Sequence, residues 1–221
     1  MSLIAIVNTK GGSGKTTLAQ HFILPALEQA VFIDTDVYNR SISDIKNSKH
    51  LIKGIKLQSV KPVKGYGKAI ANPEEMLDEV IQILDEYKGQ YVIMDSGAGG
   101  VADAVLNVAL ALLRHDLVKM FFVPIREDSF NTSATINYIK QRTDRYVPVD
   151  IINRSGSQIY IPEIGIGSLN LVKKFAITLP EILDLQPDQL DIRERGMQGI
   201  YKEVYSEEVD SIIKTIRGIL Q

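Results

Sequence analysis

Lys10-Gly11-Gly12-Ser13-Gly14-Lys15-Thr16-Thr17, a few residues beyond the apolar run Leu3-Ile4-Ala5-Ile6-Val7, decides how this 221-residue chain is read. The run is continuous and apolar, as in a strand buried on both faces of a parallel sheet. The octapeptide has the composition of a phosphate-binding loop, with an unusual start. The common spacing G-x-x-x-x-G-K-[ST] places Gly at position 9, but Thr9 stands there and a second lysine, Lys10, follows. Gly11, Gly12 and Gly14 allow a turn whose successive N–H groups point at phosphate oxygens with no side chain in the way. Lys15 is placed to neutralise the β- and γ-phosphates and the Thr16 hydroxyl to ligate Mg²⁺; Ser13 and Thr17 line the same loop. A helix opening at Thr16 aims its positive end at those phosphates.

Outward from the loop, strands and helices alternate. The first helix carries Leu18, Phe22, Ala26 and Leu27 inward, with a kink expected at Pro25. Val31–Ile33 reads as a second strand ending in Asp34-Thr35-Asp36. Beyond it, a helix is expected around Ser41–Ile52, a strand around Ile55–Val60 and a Gly/Lys-rich loop over Lys61–Lys68. Asn72-Pro73-Glu74-Glu75 is a helix start: cap, proline in the first turn, then acids favoured by the dipole. Met76, Val80, Leu84 and Tyr87 continue it to about Lys88. Tyr91–Met94 predicts a strand ending at Asp95, followed by Ser96-Gly97-Ala98-Gly99-Gly100. Helices over Ala102–Leu113 and Ser129–Arg145 bracket a strand at Val118–Ile125. A strand over Val149–Ile152 ends in Asn153-Arg154. The last third predicts a loop with Gly156, Gly165 and Gly167, a helix near Leu169–Phe175 and a final helix from Ser206. The pattern implies an α/β fold, a mostly parallel, doubly wound sheet with helices on both faces and its ligand at the carboxyl ends of the strands.

In such a sheet Asp36 and Asp95 follow strands that flank the phosphate loop. A strand–Asp–small-residue sequence suits the acid that holds the Mg²⁺ water shell, hence Asp95. Asp36 suits the orientation of an attacking water in line with the γ-phosphorus. Asp34 reads as a strand-end cap. Gly97, Gly99 and Gly100 leave the second loop free to respond to loss of the γ-phosphate.

Composition bounds the rest. The length suits one domain over residues 1–221. With 45% apolar and 24% charged residues the chain is of ordinary globular type. A net charge of −2 gives no global field for nucleic acid, so such binding needs a local patch. The absence of cysteine excludes disulfides, a cysteine nucleophile and thiolate-held metal clusters. No stretch is apolar enough to span a bilayer, and Met1 leads straight into a strand, so the expected location is cytoplasmic.

Taken together, these motifs resemble the ParA/MinD family of ATPases with a deviant phosphate loop, in a P-loop NTPase fold. The matching residues are Lys10-Gly11-Gly12-Ser13-Gly14-Lys15-Thr16, Asp34-Thr35-Asp36 and Ile93-Met94-Asp95-Ser96-Gly97, with Asp116 to Ile125 as the family's next strand and its closing proline. The resemblance covers about residues 1–154, and beyond that only the general layout. It implies ATP and Mg²⁺ as cofactors and a homodimer that sandwiches nucleotide. It makes Lys10 a signature lysine reaching the partner's phosphates, Asp36 the group that positions water, and Thr16, Asp36 and Asp95 the metal-side residues. Asn153 falls where related proteins read the adenine edge. Gly97 in place of the usual proline of the second loop looks like the small plasmid-partition proteins and the ParA-like proteins of conjugation loci. Asp36-Val37-Tyr38-Asn39 departs from the D-P-Q of larger ParA proteins.

The resemblance implies an ATPase that dimerises on ATP and segregates or positions DNA, with a small adaptor protein as activator. Lys173-Lys174, Arg193, Arg195, Lys202, Lys214 and Arg217 are the candidate non-specific DNA contacts. A MinD-like alternative rests on the apolar stripe Val209, Ile212, Ile213, Ile216, Ile219 and Leu220 of the last helix, which could lie on a membrane. Two basic residues beside a core-type stripe favour packing on the sheet instead. An accessory ATPase of conjugative transfer and a metabolic ATP-dependent synthase on the same fold are the remaining alternatives.

Overall fold

The computed structural model describes residues 2–38, 42, 45–65, 68–125, 130–150, 163–166, 171–174 and 200–221. The first strand, β1 (Ser2–Ile6), is buried from Leu3 onward. The phosphate loop leads into α1 (Lys15–Leu18), a π-helical turn (Ala19–Ile23) and α2 (Leu24–Ala26). The kink expected at Pro25 takes the form of that π-turn. The proline ring would meet the carbonyl of the preceding turn, and a wider turn there gives it room.

β2 (Ala30–Asp34) is buried throughout, and β3 (Leu51–Lys56) pairs beside it. A hairpin follows, β4 (Val60–Val63) and β5 (Lys68–Ala71). Next come α3 (Pro73–Glu86), β6 (Tyr91–Asp95), α4 (Gly100–Leu113), β7 (Val118–Ile125), α5 (Phe130–Lys140) and β8 (Tyr146–Asp150). The chain closes with β9 (Glu163–Ile166), β10 (Leu171–Lys174) and α6 (Ile200–Leu220). The main sheet has the order β10-β9-β8-β7-β1-β6-β2-β3. Its six strands from β8 to β3 are parallel, and β9 and β10 join antiparallel at one edge.

Helices cover both faces. α3 and α4 lie over Leu3, Ala5, Val31, Ile33, Val92 and Met94, whereas α1, α2 and α6 lie over Ile4, Ile6, Phe32, Ile93 and Phe122. Strict alternation along the central strands produces the two layers. Phe32, Phe121 and Phe122 are wholly buried, each stabilising by about 1.5–3 kcal/mol. The Asn72 cap is formed: its Oδ1 accepts the Glu74 N–H at 3.1 Å and its Nδ2 donates to Glu75 at 3.0 Å. Such a cap contributes about 1 kcal/mol. In α6, Ile212, Ile216 and Leu220 are buried against the sheet, with Ile213 and Ile219 packed beside them. That stripe is core, as its composition favoured. Among the described residues no helix is long and apolar enough to cross a membrane.

Several expected elements move. Leu51 and Ile52 begin β3 rather than ending a helix; among residues 41–50, helical backbone is described at Ile42 and Ile45. Ile42 packs where a Cβ on Gly54 would sit, so glycine allows this approach at the strand edge. The Lys61–Lys68 loop is instead mostly hairpin, because Val60, Ala69 and Ala71 pack against the core. The helix expected to reach Arg145 stops at Lys140, and Thr143 Oγ1 then accepts the Arg145 N–H in a local turn. Arg145 is thereby freed to pair with Asp116 at 2.6 Å, and β8 starts at Tyr146 instead of Val149. The helix near Leu169–Phe175 is replaced by β10, whose Leu171 pairs with Ile166. α6 starts at Ile200, ahead of the expected Ser206.

Candidate functional site

The register of three strands builds the site. Ile6 of β1, Asp95 of β6 and Asp34 of β2 are direct partners, so the loops after all three strands open from one level. After β1, Asn8 is buried and acts as the anchor. Its Nδ2 donates to the Pro124 carbonyl at 2.7 Å and its Oδ1 accepts the Lys10 N–H at 2.8 Å. Gly12 (φ 67) and Gly14 (φ 87) sit in the left-handed region that the loop needs. Ser13 is fully buried. Lys15 is only 6% exposed, and its ammonium donates to the Lys10 carbonyl at 3.0 Å and the Ser13 hydroxyl at 3.4 Å. Burial lowers the Lys15 pKa, opposed by the negative charges of Asp95 and Asp36. Lys10, Thr16 and Thr17 are half-buried on the same loop.

Asp95 is a strongly perturbed acid. Burial pushes its carboxyl up to about 7, opposed by a hydrogen bond from Thr16; Asp34 raises it further, Lys15 lowers it and Asp36 adds a smaller rise. Its Oδ1 is buried without a hydrogen-bond partner, as is the neighbouring Ser96 hydroxyl. An orphaned buried carboxylate oxygen beside a hydroxyl suits a hard cation. Among the described residues no three His, Cys, Asp or Glu side chains converge as a cage. A Mg²⁺ site needs only one or two protein oxygens, its shell being completed by waters and phosphates. Asp34 is buried, accepts the Asp36 N–H at 2.9 Å through Oδ1 and pairs with Lys56 at 3.2 Å through Oδ2, the strand-end cap expected of it. Asp36 is half-buried, and its Oδ1 accepts the Tyr38 N–H at 3.0 Å.

The two loops are tied together by Thr35. Its hydroxyl donates to the Asp95 carbonyl at 2.9 Å and accepts the Gly97 N–H at 2.7 Å. A Cβ on Gly97 would press within 3.3 Å of Val101, and Gly99 has φ 60. The Gly99 N–H donates to the Thr9 carbonyl at 3.0 Å, so the second loop is also fastened to the phosphate loop. Gly97 therefore serves close packing, and Gly99 a left-handed backbone.

Solved structures share this fold. A chain of the MinC:MinD cell division protein complex of Aquifex aeolicus is 16% identical, with a TM-score of 0.59 over 99% of this chain and 95% of that one. MinD of Aquifex aeolicus alone gives 19% and 0.52 over 99% and 97%. An ATP complex of McdA from Cyanothece gives 12% and 0.51 over 100% and 96%. The chain has the ParA/MinD fold. At these identities the likeness is one of fold. No family model and no curated protein matches the chain.

Within the ParA/MinD fold, the expected residues fall into three groups. Lys10, Gly11, Gly12, Ser13, Gly14, Lys15, Thr16 and Thr17 form one loop, and Asp36 and Asp95 stand close enough to Lys15 to act on its charge. Asn153, Arg193 and Arg195 lie outside the described residues. Lys173 and Lys174 are on β10, at the sheet edge opposite β3. Asn8, Thr35, Lys56 and Tyr38 were not singled out by sequence. Their partners lie up to 116 residues away, beyond any local spacing.

Proposed function

We propose that the chain is a Mg²⁺-dependent ATPase of the ParA/MinD type, one P-loop domain over residues 1–221, cytoplasmic, dimerising on ATP to segregate or position DNA. The observation that supports this reading is the convergence of Lys15, Asp95 and Asp36 beneath a loop that opens with a second lysine. The loop N–H groups and Lys15 bind the phosphates, and the buried surroundings strengthen each contact. Thr16 and Asp95 would hold Mg²⁺, which would supply neutralisation of the phosphate charge. Asp36 orients a water for in-line attack, and hydrolysis of ATP yields ADP and phosphate. Lys10 acts in trans on a second copy's phosphates, and an adaptor protein stimulates turnover. Asn153 is kept as the adenine-reading candidate.

A MinD-like membrane reading has the likeness to MinD structures in its favour. The burial of Ile212, Ile216 and Leu220 weighs against α6 as its membrane contact. The test is nucleotide binding and turnover by Lys15→Ala and Lys10→Ala. Lys15→Ala is expected to lose ATP binding. Lys10→Ala should bind ATP and lose about 10³-fold in turnover, the scale of a charge supplied in trans. Equal loss of binding in both refutes the separate roles.

A further inference from the structure

Between Ile45 and Ala71 the chain holds seven lysines and no Asp, Glu or Arg, in a protein whose net charge is −2. All seven are exposed. The segment comprises β3, which ends the main sheet, and the β4–β5 hairpin, a separate two-stranded sheet, and both bond to the loop at residues 36–38. Lys46 and Lys49 stand in the turn before β3, Lys53 lies midway along it, Lys64 is at the hairpin turn and Lys68 opens β5. At 3.3 Å per residue β3 is about 20 Å long, the length of about six phosphates of one DNA strand. The hairpin turns Val60, Ala69 and Ala71 to the core and leaves Lys68 and Ile70 outside, Ile70 being 62% exposed. Another of the seven, Lys61, pairs with Glu75 at 3.6 Å, both ends more than half exposed.

The same segment is fastened to the loop carrying Asp36. Tyr38 donates its hydroxyl to the Lys68 carbonyl at 2.7 Å, and Lys56 donates to the Asp36 carbonyl at 2.7 Å while pairing with Asp34. We propose that this edge is the surface that grips the sugar–phosphate backbone of duplex DNA, and that Lys56 and Tyr38 couple the grip to the nucleotide site. The coupling rests on the ATPase reading above; the surface itself rests on charge and placement. Lysines alone give point charges that neutralise phosphates without the bidentate fork used to read bases, so the grip is sequence-independent. A lipid surface would call for a continuous apolar face, whereas Ile52 and Ile70 stand singly on strands among the lysines.

The test is anisotropy of a labelled random-sequence duplex with ATP and Mg²⁺. It compares the parent with the variant Lys46→Gln, Lys49→Gln, Lys53→Gln, Lys64→Gln, Lys68→Gln. A control carries Lys173→Gln, Lys174→Gln and Lys214→Gln. The five-site variant should bind at least about tenfold more weakly at moderate salt, with a log–log salt slope reduced by up to about 4.5, or about 0.9 per contact. The control should stay within about twofold, and all three should bind ATP. Equal binding by parent and variant, or a loss confined to the control, overturns the proposal. So does ATP-dependent retention on phosphatidylserine vesicles with no duplex binding. A parent that dimerises and hydrolyses ATP but binds no duplex sinks this surface and leaves the ATPase reading standing. If the parent fails to bind ATP, the ATPase reading falls, and duplex binding without nucleotide decides the surface.

Discussion

Lys15 and the lysines of the β3 edge are the same side chain held in opposite ways. Lys15 is almost wholly buried, fixed by Lys10 O and Ser13 Oγ, and drawn down in pKa by the loss of water. The edge lysines keep their water and stand on a segment that contains no acid. A buried cation is costly to desolvate and repays it only where a fixed opposite charge arrives, so one residue carries one task. Exposed cations are each weak, screened and replaceable, and act by number. Lys56 stands between these extremes, with a 40% exposed side chain paired to the fully buried carboxylate of Asp34.

Substitutions along this gradient should produce graded losses. Lys15→Ala should weaken ATP binding by about 10²–10³-fold, measured by calorimetry, because it removes one partner of a buried charge cluster. Lys56→Gln should destabilise by about 1–3 kcal/mol in urea melts, since the buried Asp34 carboxylate loses the Lys56 ammonium. If Lys56→Gln melts like the parent, the intermediate class disappears. Lys68→Gln alone should change stability by no more than about 0.5 kcal/mol, and duplex affinity by about two- to threefold. A tenfold effect there would make Lys68 a specific contact.

Acid–base behaviour sharpens the buried half of the contrast. Asp95 has a folded pKa of about 7, above the ordinary carboxylate value of 3.8, so the folded state holds a proton that the unfolded state has released. Its contribution is therefore present at low pH and declines as pH rises from about 4 through 7. Nucleotide-free protein should show a Tm that falls from about pH 5 to about pH 8, and Asp95→Asn should remove that part of the slope. A parent and Asp95→Asn with parallel profiles would contradict the buried carboxyl.

The strand–loop–helix start and the Asn72 cap were legible because their chemistry is local. A glycine-rich turn, a cap and an apolar run are each written within a few residues. Asp36 and Asp95 were singled out by their place after apolar runs, Asp95 closing β6 and Asp36 lying two residues beyond the end of β2. Thr35 was not, because its role comes from β2 lying beside β6, bringing it to an Asp95 carbonyl 60 residues away. The hairpin was hidden by its own lysines: four-residue strands in which Lys61 and Lys68 alternate with small apolar residues lack the hydrophobic weight of a strand. β10 was missed for a similar reason, as Leu171-Val172-Lys173-Lys174 is too short to show its period.

The central claim is that Lys15 serves its own nucleotide and Lys10 a second copy's. Light-scattering mass with ATP and Mg²⁺ tests it most directly, on Asp36→Ala to block turnover and on Asp36→Ala/Lys10→Ala. A dimer for the first and an ATP-bound monomer for the second is the predicted result. The same mass for both proteins would contradict it.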